Sequence, residues 1–436
     1  MTTTNERETT LPPISLSHRW RWAQGQAISF LMQQAVENPE CISLAAGLVD
    51  PSSLPVTETR AAFDTLFKTD ERARTALQYG TTQGADKLRK GLIGQLARLE
   101  NCTPGELGID ADQLILTTGS QQFLSLVGEV LLDPGDICLV AAPTYFVFLG
   151  VLNGLGARAI PVEADDDGMR MDALEATLRK IEADGELDRV KLIYLVSYYE
   201  NPSGVSLSAE RRKAAVGIAQ RWSRAHRIMI LEDAAYRELQ YDGPTLPSIW
   251  GFDGERESVI LAQTFSKSFS PGVRVGFGVV PRALVGPICD RKGNEDFGSA
   301  NLNQHLLAAV IEHGLYDTHV EEVRTAYRRK RDCMLRAIDE SFRDLSGVRW
   351  VRPHGGLYVW MTLPESIPTG FDSALFTRAS RVDQVMYVPG ELCYPGPLST
   401  RPRNQMRLSF GVQTEAGIEA GIARLASAVR AVLPAP

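Results

Sequence analysis

One repeated pattern, beginning near Asp112, constrains the fold more than anything else in the chain. A short apolar run is followed by a turn and then by a stretch with helical spacing. "QLILTTG" ends at Gly119 and "SQQFLSLVGEVLL" continues as a helix. "DICLVAAP" comes next, and Pro143 opens the helical "TYFVFLGVLNGLG". "ARAIPVEA", "KLIYLVSYYENPSG", "IMILEDAAY", "SVILAQTFSKS" and "RVGFGVV" extend the series. Runs that are β-branched and Leu-rich throughout suit strands buried on both faces, as in a parallel sheet. Strands alternating with helices predict an α/β fold, a mainly parallel mixed sheet flanked by helices. Ligands on such sheets bind beyond the carboxyl ends of the strands. The polar clusters of this chain sit just after its apolar runs.

The order of elements changes toward the C-terminus. A long helical segment from about Tyr316 to Phe342 leads into strand-like "VRWVRP", "LYVWMTL", "VMYVP" and "MRLSFG", then a helix from Glu415 to Val432. That predicts a second, smaller α+β domain. At 436 residues the chain exceeds one ordinary core, since domains hold roughly 100–200 residues. Near the start, residues 1–13 read as a loose polar tail and Ser29–Val36 as a short helix. "CISLAAGLVDPSSLP" reads as a Gly/Pro loop and Thr57–Phe67 as another helix.

Composition excludes several classes. Hydrophobic residues make up 44% and charged residues 23%, ordinary for a globular chain and wrong for disorder. The net charge is -7 with no dense Lys/Arg run, which argues against a nucleic-acid partner. The first residues lack an apolar signal core, and no stretch nears the roughly 20 apolar residues that span a bilayer. The chain is therefore expected to be soluble and cytoplasmic, with no membrane partner. Cys41, Cys102, Cys138, Cys289, Cys333 and Cys393 are scattered singly, without CxxC spacing. They read as idle thiols in a reducing compartment, and no metal is expected.

Five segments carry candidate chemistry. "TGSQQ" (Thr118 to Gln122) ends a strand and opens a helix, where exposed amides can hold an anion or where Ser120 can simply cap. "NPSG" (Asn201 to Gly204) follows an apolar run and can be a plain turn. "LEDAAYREL" puts Asp233 at a strand end, with Tyr236 three residues on. "TFSKSFSPGVRVGF" sets Lys267 between Ser266 and Ser268 directly after an apolar strand, with Arg274 seven residues later. Partial burial and a nearby cation lower a lysine's pKa and favour the neutral, nucleophilic amine. "QMRLSFG" puts Arg407 at the end of an apolar run, though Arg401, Arg403, Arg424 and Arg430 also fall within the last fifty residues, so a plain surface charge stays open.

Together these segments resemble the fold-type I pyridoxal-phosphate enzymes, specifically the class I/II aminotransferases. The resemblance runs from about Ile28 to Val432. It rests on six elements in order: Gly-Ser-Gln, Pro-Thr-Tyr, Asn-Pro-x-Gly, Asp-x-x-Tyr, Ser-Lys with a later Arg, and Arg-x-Ser-Phe. "YGTTQG", "TFSKSFSPGVRVGF" and "PHGGLYVWM" look most like the broad-specificity branch with kynurenine and 2-aminoadipate aminotransferases.

The resemblance implies a role for each matching residue. Lys267 matches the lysine that carries pyridoxal 5'-phosphate as a Schiff base and then moves the substrate Cα proton. Asp233 matches the partner of the pyridinium nitrogen. Asn201 and Tyr236 match the donors to the ring 3-oxygen, and Tyr145 the aromatic that stacks on the ring. Ser120, Gln121, Ser266 and Arg274 match the phosphate cradle. Tyr79, in "LQYGTTQG", matches the tyrosine that reaches the phosphate of a partner subunit, which implies a homodimer with shared sites. Arg407 matches the clamp on the substrate α-carboxylate, with Gly47 and Asn201 beside it.

The implied domains are an N-terminal arm (1–27), the N-terminal part of the small domain (28–67), a large cofactor-binding domain (68–320) and a C-terminal small domain (321–436). The implied reaction moves an amino group from an L-amino acid to a 2-oxo acid such as 2-oxoglutarate. It is ping-pong, through pyridoxamine phosphate. The expected donor is large, aromatic or 2-aminoadipate-like. Other pyridoxal-phosphate chemistry on this fold (β-lyase, decarboxylase or oxidase) stays open, as does a regulator that binds the cofactor without catalysis. Three departures bear on substrate: Leu48-Val49-Asp50 after the loop glycine, Tyr198-Tyr199-Glu200 before Asn201, and Cys393 where Phe is common. Trp20 and Trp22 either wall the site entrance or anchor the tail.

Overall fold

The computed structural model describes residues 14–23 and 40–433. The tail over 1–13 and the helix expected over 29–36 lie outside the described residues.

The strands, in chain order, are β1 (Ile42–Ser43), β2 (Leu114–Thr117), β3 (Ile137–Ala142), β4 (Arg158–Asp165) and β5 (Gly168–Met169). Then come β6 (Val190–Val196), β7 (Met229–Asp233), β8 (Val259–Thr264) and β9 (Gly276–Val279). The last are β10 (Arg349–Trp350), β11 (Tyr358–Thr362), β12 (Val385–Met386), β13 (Val388–Pro389) and β14 (Gln405–Ser409).

The main sheet has the order β2-β9-β8-β7-β6-β3-β4-β5. β4, β3, β6, β7 and β8 pair in parallel, while β9 runs against both β8 and β2, and β5 folds back on β4. The exception at β9 has a simple cause. Residues 265–275 between β8 and β9 contain only the 3-10 turn Pro271–Val273. A parallel return needs a crossover of about a dozen residues or more, usually a helix. The chain therefore reverses beside β8, and that reversal carries Lys267.

Side chains of a strand alternate between faces. In β6, Leu192 and Tyr194 enter one core with Phe123, Val127 and Phe148, whereas Ile193 and Leu195 enter the other with Leu178 and Ala215. Both faces are thus apolar, which is why the strands read as continuous hydrophobic runs. The helices Ser120–Leu131 and Phe146–Gly154 cover the first face, and Met171–Ala183 and Ala209–Trp222 the second. The helix expected to open at Pro143 begins instead at Phe146. The Thr144 amide donates to the carbonyl of Cys393 at 2.8 Å, so this stretch is tied to another loop and is not available to a helix.

The C-terminal unit is a four-stranded antiparallel sheet, β10-β11-β14-β13, beside the helices Leu315–Phe342 and Glu415–Val432. β1 pairs in parallel with β12, Ile42 opposite Val385, so the N-terminal segment joins this unit.

Candidate active site

Strand direction decides where the polar residues meet. The parallel strands β6, β7 and β8 end at one edge of the sheet, where the chain continues to Asn201, Asp233 and Lys267. β2 points the same way and delivers the helix that starts at Ser120. A cavity of about 190 Å³ lies at this edge. Ser120, Gln121, Tyr145, Asn201, Asp233, Tyr236, Ser266, Lys267 and Arg274 all line it, together with Thr264.

At one end the cavity is built for an anion. Gly119 caps the helix at φ +74, and a Cβ there would lie 2.7 Å from Nη2 of Arg274. Gly276 approaches from β9 so closely that a Cβ would lie 2.5 Å from the Ser120 nitrogen. Two glycines therefore keep the amides of a helix N-terminus open beside a guanidinium, the arrangement that attracts phosphate. Arg274 donates to Ser266 Oγ at 3.3 Å and to the Thr118 carbonyl at 3.2 Å. Gln121 Oε1 is buried without a hydrogen-bond partner.

At the other end sit the titrating groups. Asp233 is buried, and burial pushes its carboxyl up to about 6. Tyr194 donates to its Oδ2 at 2.9 Å and the Ala235 amide to its Oδ1 at 3.1 Å, and both resist that rise. Lys267 donates from Nζ to the Gly47 carbonyl at 2.8 Å. Its amine lies deep, although the residue as a whole is half-buried. Burial drives its pKa below a lysine's ordinary value; the Tyr358 hydroxyl opposes this, and Arg407 and Arg274 reinforce it.

Arg407 reaches the same region from β14. It donates to Asn201 Oδ1 at 2.8 Å and to the Ala45 carbonyl at 2.7 Å, and its Nε is buried without a partner. The guanidinium lies over the Tyr358 ring, 4.3 Å from its centroid, and 5.9 Å from that of Phe146. Gly47 leaves the room that Tyr358 occupies, since a Cβ would lie 2.8 Å from its hydroxyl.

Tyr79 is not in this cavity. It is 80% exposed, with its ring edge-on to Phe297 at 5.5 Å. Two residues at the site escaped sequence reasoning. Tyr194 lies inside an apolar run, and Tyr358 sits in β11; its hydroxyl pairs with that of Tyr236 at 3.1 Å. The run "PHGGLYVWM" was the one available signal for Tyr358.

The departures mostly serve packing. The Tyr198 ring lies under Arg212 at 4.0 Å, and Tyr199 packs where Gly355 and Gly356 leave no room for a Cβ. Neither lines the cavity. Asp50 pairs with Lys330 at 2.7 Å. Trp22 packs on Gly156 and borders a separate cleft of about 540 Å³ with Phe146, while Trp20 is half exposed.

Among the described residues no helix is long and apolar enough to cross a membrane. The family model for aminotransferase class I and II matches residues 39–425. Aromatic-amino-acid aminotransferase 1 of Thermococcus litoralis is 34% identical over 395 residues, 91% of this chain and 89% of that protein. The 2-aminoadipate transaminase of Thermus thermophilus is 31% identical over 432 residues, 97% of this chain and 99% of that protein. The crystal structure of Pyrococcus horikoshii kynurenine aminotransferase, in complex with PMP, superposes with a TM-score of 0.86 at 32% identity, covering 96% of this chain and 98% of that one. The chain belongs to the class I and II aminotransferase family.

Proposed function

We propose that this chain moves an amino group from a large, aromatic or 2-aminoadipate-like L-amino acid to a 2-oxo acid such as 2-oxoglutarate, using pyridoxal 5'-phosphate. The observation that carries the reading is one cavity shared by an open helix N-terminus, a buried carboxylate and a buried amine. The glycine-lined cradle, open at the helix N-terminus beside Arg274, fits a phosphorylated ring.

When bound, the cofactor supplies a ring that draws off the electron pair left at the substrate Cα. The Ser120 and Gln121 amides, Ser266 and Arg274 hold its phosphate. Asp233, as a carboxylate, keeps a proton on the ring nitrogen, and Tyr194 holds that carboxylate in place. Asn201 and Tyr236 would donate to the ring 3-oxygen, and Tyr145 would pack against the ring. Lys267 would hold the cofactor covalently through Nζ. Freed, its depressed pKa suits it to take the Cα proton and return one. Arg407 clamps the α-carboxylate as a planar fork, and Asn201 and the Ala45 carbonyl orient it. Fixing the carboxylate fixes which Cα bond faces the ring.

Donor and acceptor use the site in turn, a ping-pong order. The Phe146 and Tyr358 rings beside Arg407 support a bulky donor side chain. The chain works as a homodimer in the cytoplasm. The exposed Tyr79–Phe297 pair supports a subunit contact, and six free cysteines support a reducing compartment. The described part of residues 28–67 belongs with 321–436 in a small domain set against 68–320, a division supported by the β1–β12 pairing.

Borohydride reduction of the cofactor-loaded protein, followed by peptide mass spectrometry, should find the adduct on Lys267. An unmodified Lys267 peptide rejects the reading. Donor panels with 2-oxoglutarate should give parallel double-reciprocal lines and favour large side chains. Turnover with alanine or aspartate alone rejects the substrate class.

A further inference from the structure

Glu58, His319 and Glu322 meet behind the reversal that carries Lys267. One ring nitrogen of His319 and one carboxylate oxygen from each glutamate all lie within 4.8 Å of one another. His319 and Glu322 are one turn apart on the helix Leu315–Phe342, and Glu58 is in the first turn of the helix Val56–Leu66. Only 3% of His319 is exposed. Its ring hydrogen-bonds the Phe269 backbone, and its Nε2 is buried with no hydrogen-bond partner. An orphaned buried polar atom costs about 1–3 kcal/mol and calls for an explanation such as an ion. Among the described residues, Glu58 and Glu322 make no ion pair that would occupy their carboxylates.

We infer that Glu58, His319 and Glu322 form a divalent-cation site whose best-matched ion is zinc. The donor set is one imidazole nitrogen and two carboxylates. Calcium and magnesium prefer all-oxygen sets, and zinc accepts nitrogen and oxygen in a tetrahedral array. Zinc also outcompetes manganese and ferrous iron at a given site. Bond lengths of about 2.0–2.2 Å set ligand atoms roughly 3.3 Å apart. The ligand atoms lie within 4.8 Å of one another, and Glu322 is exposed, so its side chain has room to turn toward that spacing. A water completes the fourth position.

The unpartnered Nε2 supplies the nitrogen ligand, and in metal-bound histidines the other ring nitrogen commonly donates a hydrogen bond that fixes the ring.

Such an ion has a structural consequence. It joins the helix Val56–Leu66 to the helix Leu315–Phe342. The Phe269 ring stands edge-on to His319 at 5.4 Å, and Ser268 Oγ pairs with Tyr316 Oη at 2.6 Å on the same long helix. The ion therefore braces the segment just beyond Lys267 from behind. The site is separate from the cavity described above.

The test uses the full-length, cofactor-loaded protein. It is equilibrated with zinc, passed into metal-free buffer and analysed for zinc per chain, with affinity measured against a chromophoric chelator. One tightly held zinc per chain is expected, with a raised unfolding temperature. Glu58→Gln and Glu322→Gln should each weaken zinc by about tenfold or more, with cofactor absorbance and metal-free unfolding temperature unchanged. His319→Gln should abolish binding, but it sits in the core, so the two glutamine variants decide the matter. Cobalt in place of zinc should give a visible d–d spectrum that both variants lose. No retained zinc, or equal retention by wild type and both glutamine variants, overturns the proposal; the second result marks an adventitious ion only.

Discussion

Arg407 on β14 donates from Nη1 to Oδ1 of Asn201 at 2.8 Å, joining the four-stranded sheet to the loop after β6. The same guanidinium donates to the Ala45 carbonyl and stacks on Tyr358. Three separate segments therefore hold one planar fork before any substrate arrives. Arg407→Lys keeps the charge and loses the fork. The KM for the amino donor should rise by about 10- to 100-fold, worth roughly 1.4 kcal/mol per decade, with a smaller fall in kcat. Steady-state kinetics check this; a lost kcat at unchanged KM would place Arg407 elsewhere in the cycle.

Asp233 makes a prediction about pH. Burial raises its carboxyl from 3.8 to about 6 in the cofactor-free protein. The folded state thus keeps a proton that the unfolded chain releases near pH 4. The stability this group contributes is complete below pH 4 and is lost as pH rises through about 6. Asp233→Asn removes that loss. Between pH 4 and 7 the cofactor-free variant should gain about 3 kcal/mol relative to wild type, read from urea unfolding at several pH values. The same variant should bind cofactor more weakly at pH 7.5. In wild type, cofactor affinity should fall as pH drops through about 6, and Tyr194→Phe, which removes a donor that holds the pKa down, should move that fall to higher pH.

Gly276 tests the anion cradle. A Cβ there would lie 2.5 Å from the Ser120 nitrogen, 2.7 Å from the Gly119 carbonyl carbon and 2.9 Å from the Gln263 carbonyl oxygen, all backbone atoms that cannot turn aside. Gly276→Ala should push β9 off the helix N-terminus and destabilise the protein by about 1–3 kcal/mol. Cofactor affinity should fall further than stability, since the amides that face the phosphate move. Calorimetry with and without cofactor separates the two. An unchanged affinity would show that the cradle is not built from these amides.

The role proposed for Tyr79 requires a partner subunit. Its side chain is exposed on its own chain. Tyr79→Phe should weaken cofactor binding in the homodimer, and so should Lys267→Ala. Refolded together, the two variants form hybrid dimers in which one site has both an intact Lys267 and an intact Tyr79. Those hybrids should regain one wild-type site per dimer, seen in activity against mixing ratio. Absence of recovery in verified hybrids would confine Tyr79 to its own subunit or to no role.

The sequence alone determined the kinds of element, most of their ends and most of the polar residues that line the cavity, Thr264 excepted. Apolar runs fix strands because burial on both faces leaves no polar alternation. The residues just past their ends, Ser120, Asn201, Asp233 and Lys267, fall together because parallel strands finish at one edge. Tertiary structure decided the rest. Tyr194 looks like core in the sequence, and only the register of β6 on β7, Val196 beside Asp233, brings its hydroxyl to that carboxylate. Tyr358 meets Tyr236 only because the small sheet lies against the large one. Tyr198 and Tyr199 precede Asn201 in the chain, yet they turn to packing under Arg212 and against Gly355. Glu58 and His319 stand far apart in the chain and carry no shared spacing. Local pattern encodes an element and where it stops. Which side chains meet across elements depends on crossing and register, and these are settled only when the cores close.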